Sequence, residues 1–132
     1  MSYLKKTVLP ILAAGIWINI SETVRWELLI KSYWVEYYKS LNLVFPLELQ
    51  NNLTWMCWGF LFAFVVFVLS KKFNLLQTTF ISWLVVFIML WVVLWNIDIL
   101  PVDLLWYNIP LSLLETFVAA VICKKLSEKT TK

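Results

Sequence analysis

Four long apolar stretches, each closed by a polar or charged cluster, organise this chain of 132 residues. The first covers residues 7–30, apolar as far as Ile20 and more polar beyond. The second covers 53–69 and ends at Ser70-Lys71-Lys72, the third covers 76–97, and the fourth covers 104–123 and ends at Lys124 and Lys125. A helix rising about 1.5 Å per residue needs about 20 residues to cross ~30 Å of hydrocarbon. The third and fourth stretches meet that length. The second is slightly short, with Asn51 and Asn52 available as a cap at its start. Strands of a membrane barrel would alternate apolar and polar residues at every second position. Phe60 to Leu69 is apolar on every side instead. The pattern therefore predicts an all-α integral membrane protein, a single transmembrane domain over 1–132 with four helices in an antiparallel bundle.

The connections refine this picture. Residues 70–75 and 98–103 are short links, so helices two, three and four are expected to pack as antiparallel neighbours. The segment 31–52 is longer and is read as an outer interfacial loop. From the end of helix one into its first part, Trp26, Ile30, Tyr33, Trp34, Tyr37 and Leu41 recur at helical spacing, with Lys31, Glu36 and Lys39 off that face. Such a pattern predicts either an extension of helix one or a short helix lying along the interface, ended by Asn42 and Pro46. Residues 124–132 form a polar tail, expected to be disordered from Ser127 onward.

Lysine placement sets the orientation. With the N-terminus inside, the inner side carries Lys5, Lys6, Lys71, Lys72, Lys124, Lys125, Lys129 and Lys132. The outer side then carries only Arg25, Lys31 and Lys39, against Glu22, Glu27, Glu36, Glu48, Asp98 and Asp103. This bias puts both termini in the cytoplasm and the protein in the cell inner (plasma) membrane. Lys5 and Lys6 precede an apolar run as in a secretory signal. That run has no small-residue cleavage site and passes into Asn19, Glu22 and Arg25, so it is expected to be a retained helix.

Composition agrees with lipid as the solvent. The chain is 62% hydrophobic and 14% charged, too apolar for one small soluble core to cover. Trp34, Trp55, Trp58, Trp91, Trp95, Trp106 and Tyr107 gather towards the outer end, with Trp83 nearer the inner one, and are read as interfacial belts. Cys57 and Cys123 both lie in apolar runs and read as packing residues, with no disulfide or metal spacing. No histidine occurs and only two glycines do, which removes Ser-His, Cys-His and histidine-ligated metal chemistry and any phosphate-cradling glycine loop. The chain is not expected to be an enzyme, to hold a metal or cofactor, or to bind nucleic acid.

What remains is polar residues at membrane depth. Asn108, Ser112, Glu115, Ala119 and Cys123 share one face of helix four, while Gly15, Asn19, Glu22 and Trp26 share one face of helix one. Counting from the inner ends, Glu115 lies ~12 Å deep, level with Gly15; Ser112 is then level with Asn19, and Asn108 with Glu22. The two faces are expected to form a polar seam. Glu115 is its sharpest member, because an acid at membrane depth costs about 2.5–3.5 kcal/mol to insert and is found facing water, a partner or a cavity. Glu22 and Arg25, one turn apart, form an ion pair near the outer end. Arg25, the only arginine, is also a candidate anion or headgroup contact. Pro110 should kink helix four near the seam.

Three function classes fit. The first is an oligomeric channel or transporter for an ion, a proton or another small solute, with Glu115 and the seam lining its path. The second is a non-catalytic accessory or scaffolding subunit of a membrane complex. The third is a lipid-binding protein or membrane enzyme using Glu22, Arg25 and Glu115 on the outer leaflet side. The two acids stand about 10 Å apart in depth by helix rise, wide for a concerted pair, which places the third last. Partners are the bilayer and further membrane subunits, identical or different.

Overall fold

The computed structural model describes residues 2–129, all in helices and short links with no strand among the described residues. Thr130 to Lys132, including the Lys132 charge counted on the inner side, lie outside the described residues. Helix one comprises Ser2–Arg25, a π turn at Trp26–Ile30, and Lys31–Ser40, without a break. Helix two is Leu49–Ser70. Helix three comprises Leu75–Trp83, a second π turn at Leu84–Ile88, and Met89–Asn96. Helix four is Leu105–Lys129, entered through a short 3-10 turn at Val102–Leu104. Three of these helices, spanning 3–40, Leu49–Ser70 and Leu75–Asn96, are long and apolar enough to cross a membrane.

Local chemistry explains the boundaries. Helix two starts four residues before its apolar run, because Asn51 caps from within the helix rather than ahead of it: its side chain accepts from the Glu48 N–H at 3.1 Å. Helix three begins with a reciprocal cap in which Asn74 and Gln77 each accept the other's backbone N–H. Helix one outruns its expected end. Of the two arrangements foreseen for residues 31–41, the chain adopts the extension, and it stops in a Schellman turn. There Asn42 takes φ 59°, the Leu43 N–H bonds to Tyr38 O and the Asn42 N–H bonds to Lys39 O, both at 2.9 Å. Asp98, at φ 58°, closes helix three in the same way. Helix four continues to Lys129, so the first part of the expected disordered tail is helical. Its last turns carry Lys124 and Lys125, which favour a helix C-terminus.

Helices two and four pack across the centre of the bundle, with helix one and helix three on opposite sides of that pair. Small residues let the backbones approach. Ala14 and Ile18 of helix one, Phe62, Ala63 and Val66 of helix two, and Ala119, Ala120 and Cys123 of helix four are essentially fully buried. At one end of the bundle the Lys124 ammonium donates to Ser70 O at 3.0 Å, tying helix four to the end of helix two. At the opposite end the extension of helix one lies over the turn between helices three and four. Tyr37 donates its hydroxyl to Asp98 O at 2.8 Å, and the Tyr33 and Tyr107 rings meet at 6.2 Å. Phe45 folds the following link back onto Trp26, Trp34 and Tyr38.

The aromatic belt is only partly a belt. Trp95 and Trp106 face outward, but Trp91 is buried. Rings of Trp58, Phe62, Phe87, Trp91 and Trp83 run through the bundle in successive contacts of 5.5–6.3 Å. Helices apolar on every side carry no sequence mark of which tryptophans turn inward.

Candidate functional site

Glu115 projects from helix four into the bundle and is 1% exposed. Its backbone carbonyl accepts from Trp17 Nε1 at 3.0 Å, fixing helix four against helix one. Its carboxyl faces helix one, where Arg25 Nη2 stands 3.8 Å from Glu115 Oε2 and is hydrogen-bonded to Glu22 Oε1. Arg25 is 6% exposed, and its guanidinium carbon sits 5.6 Å from the centre of the Phe87 ring on helix three. One guanidinium thus stands between two carboxyls with an aromatic face beside it.

Side-chain direction brings these groups together. Cα–Cβ bonds tilt towards the N-terminus of a helix. Helices one and four run antiparallel, so the long Arg25 side chain leans inward while Glu115 leans outward. Depth counted along the backbone separates Arg25 from the level of Gly15 by about 15 Å, ten residues of rise. The side chains, and a register in which residue 115 meets Trp17 rather than Gly15, close that gap. Glu22 and Glu115 are therefore joined through one guanidinium, and the expectation that they stand too far apart to act together is corrected. Arg25, expected as an anion or headgroup contact, points into the bundle rather than to its surface.

The other expected members of the seam divide between neighbours. Asn19 turns to helix two: its amide donates to Gly15 O of its own helix at 2.9 Å and to Met56 O of helix two at 3.4 Å. Gly59 leaves the space that this amide fills, and Gly15 likewise receives the Phe60 ring. The Gly15–Asn19 face thus locks helix one to helix two, not to helix four. Ser112 turns to helix three, accepting from Trp83 Nε1 at 2.8 Å and donating to Ile109 O at 3.1 Å. Asn108 is buried on the same side of helix four, and its Oδ1 has no partner. Of the expected residues, the structure brings together Glu115, Glu22 and Arg25, and it separates Asn19 and Ser112.

Several polar groups meet in this region. The Glu115 carboxyl and the Nε and Nη1 of Arg25 are buried. Buried polar groups are nearly always paired, so this concentration of charge sets the region apart from the apolar core around it. The backbone is also irregular here. The first π turn begins directly after Arg25, and the second contains Phe87. Such turns are frequent at functional sites. Trp17, Trp83, Phe87 and Thr116, which donates to Ser112 O at 2.7 Å, were invisible as participants in the sequence, since each reads as an ordinary apolar or helix-filling residue.

No group of three acidic, cysteine or histidine side chains is placed to hold a metal ion among the described residues. The two best-formed surface depressions lie along the extension of helix one, and neither includes Arg25 or Glu115. The chain matches no protein-family model, no curated protein and no solved structure.

Proposed function

We propose that this chain is a four-span protein of the cell inner (plasma) membrane, with both termini cytoplasmic, that carries or conducts an ion, a proton or another small solute. Helix one supports membrane insertion by turning Val8, Leu12, Ile16, Ile20 and Val24 outward in one stripe. Helix four spans beside it with its polar residues inward. Lys71, just after helix two, and Lys124, in the last turns of helix four, lie at one end of the bundle, which supports this orientation.

One observation carries the transport reading. Glu115 is buried at membrane depth, 3.8 Å from a guanidinium that it shares with a second acid, Glu22. Ionisable groups inside a membrane mark ion and proton paths by default. Two acids on one cation can take up and release a small species without leaving the cation unpaired. The core beneath is filled by Phe62, Val66, Ala119 and Ala120, so a conduit runs between copies in an oligomer or opens by movement of the helices.

The deciding measurement is ion and proton flux in proteoliposomes, comparing wild type with Glu115→Gln at matched incorporation. Flux present in wild type and lost in the variant is the expected result. No flux in either, with the variant folded and equally stable, sinks the transport reading. An accessory subunit is the second reading. Its support is the Trp17–Glu115 hydrogen bond, which makes part of the seam a helix-to-helix tie. Its mark would be a membrane partner that co-purifies with wild type and is retained by Glu115→Gln.

A further inference from the structure

The charged groups facing Glu115 are few. Helix one offers Glu22 and Arg25, together with the Ser21 hydroxyl. Helices two and three carry no acid or base along their spans apart from the Cys57 thiol, which is exposed. Helix four presents Ser112 and Thr116 beside Glu115. Two carboxyls thus share one guanidinium, and the set is electrically neutral only with one proton bound.

The guanidinium is engaged unequally. It is hydrogen-bonded to Glu22 and stands 3.8 Å from Glu115, while Arg25 Nε and Nη1, on a residue 6% exposed, have no partner. Shortening 3.8 Å to a charge-assisted hydrogen bond of about 2.8 Å needs a shift of only ~1 Å. The Phe87 face supports such a shift, since attraction to a ring is far less directional than a hydrogen bond. Glu22 is 24% exposed at its side chain and Glu115 0%, so the two acids differ in access to water.

Resting on the transport reading, we propose that the exchanged species is a proton shared by Glu22 and Glu115, and that Arg25 moves to whichever carboxyl lacks it. In one arrangement the proton is on Glu115 and Arg25 pairs with the Glu22 carboxylate, the pairing that the guanidinium's position favours. In the alternative arrangement the Glu115 O–H bond has broken and a Glu22 O–H bond has formed, while the guanidinium has crossed to the Glu115 carboxylate. Net charge is the same in both, so neither leaves an unpaired charge in hydrocarbon. A metal cation fits this set poorly. Arg25 already neutralises one acid and repels a second positive charge, and hard cations require several oxygen ligands.

The test uses the full chain in lipid nanodiscs and in proteoliposomes. Infrared difference spectra between low and high pH are expected to contain a protonated-carboxyl band that is lost in Glu115→Gln and altered in Glu22→Gln. Flux driven by a pH gradient is expected to fall at least tenfold in each variant, with sodium or potassium gradients driving none. Should Glu115→Gln fail to fold, Glu22→Gln answers the same question on the more exposed acid. A spectrum with no titrating carboxyl overturns the shared proton, even where sodium or potassium flux upholds transport. A titrating band sensitive to both variants, without flux of any ion, supports the proton exchange and overturns transport instead.

Discussion

Replacing Gly59 with alanine should destabilise the protein in its own background and stop doing so once Asn19 is shortened. A methyl group at Gly59 would stand 2.7 Å from Asn19 Nδ2 and 3.1 Å from the Asn19 Cγ and Oδ1. Ordinary contact needs about 3.5 Å or more, so the amide must retreat by roughly 1 Å. Its bond to Met56 O is already long at 3.4 Å and breaks first. Overpacking of this kind costs about 1–3 kcal/mol, and a lost interhelical hydrogen bond in a membrane protein adds about 0.6. Against this, alanine improves helix propensity over glycine by about 1 kcal/mol. The net cost of Gly59→Ala is therefore about 1–2 kcal/mol. In an Asn19→Ala background the obstruction is gone and only the propensity gain remains, so the same change becomes neutral or stabilising. The coupling is about 2 kcal/mol and reverses the sign of the substitution. Unfolding titrations in mixed detergent micelles, followed by tryptophan fluorescence, measure all four proteins. An equal cost of Gly59→Ala in both backgrounds would refute the account of Asn19 as the group that occupies the glycine's space.

Two further outcomes bear on the charged site and the orientation. Arg25→Met should cost about 3 kcal/mol, because it leaves Glu22 and Glu115 facing each other without the guanidinium, and adding Glu22→Gln should recover part of that loss in the same titration. Full stability in Arg25→Met alone would mean that the guanidinium does not hold the pair. In chains with both native cysteines replaced, Val44→Cys, at a 91% exposed position of the outer link, should react with an impermeant maleimide on intact cells. Lys72→Cys should react only after permeabilisation, and the reverse pattern would invert the proposed orientation.

The helices were legible in the sequence because their signals are local. Ser70-Lys71-Lys72 ends one and Asn42 stops the long extension, each through chemistry within a few residues, whereas the cap of Asn74 with Gln77, equally local, was not read. Glu115 stood out for the same reason, since one acid in an apolar run is conspicuous whatever surrounds it. What surrounds it was not. Spacing assigns Asn19 and Ser112 to faces of their helices but does not say which neighbour each face meets, and the structure sends one to helix two and the other to helix three. Depth counting also treats side chains as points on the axis, which conceals that Arg25 and Glu115 lean towards each other.

The π turns are the least legible feature and the most telling. Trp26-Glu27-Leu28-Leu29-Ile30 and Leu84-Val85-Val86-Phe87-Ile88 contain neither proline nor glycine, so nothing local demands an irregular backbone. Their cause must be tertiary, and what lies between them is the contact of Arg25 with Phe87. An extra residue in a helical turn rotates all that follows it. On helix one the first π turn separates Arg25, which faces inward, from the extension that reaches Asp98 through Tyr37. A regular helix through residues 26–30 would turn the two faces by about 100° relative to each other, one residue's rotation at 3.6 residues per turn. Keeping Arg25 on the carboxyl pair and Tyr37 on the outer turn at once therefore requires the irregularity. One irregular turn thus sets the angle between the inward face that carries Arg25 and the face that carries Tyr37.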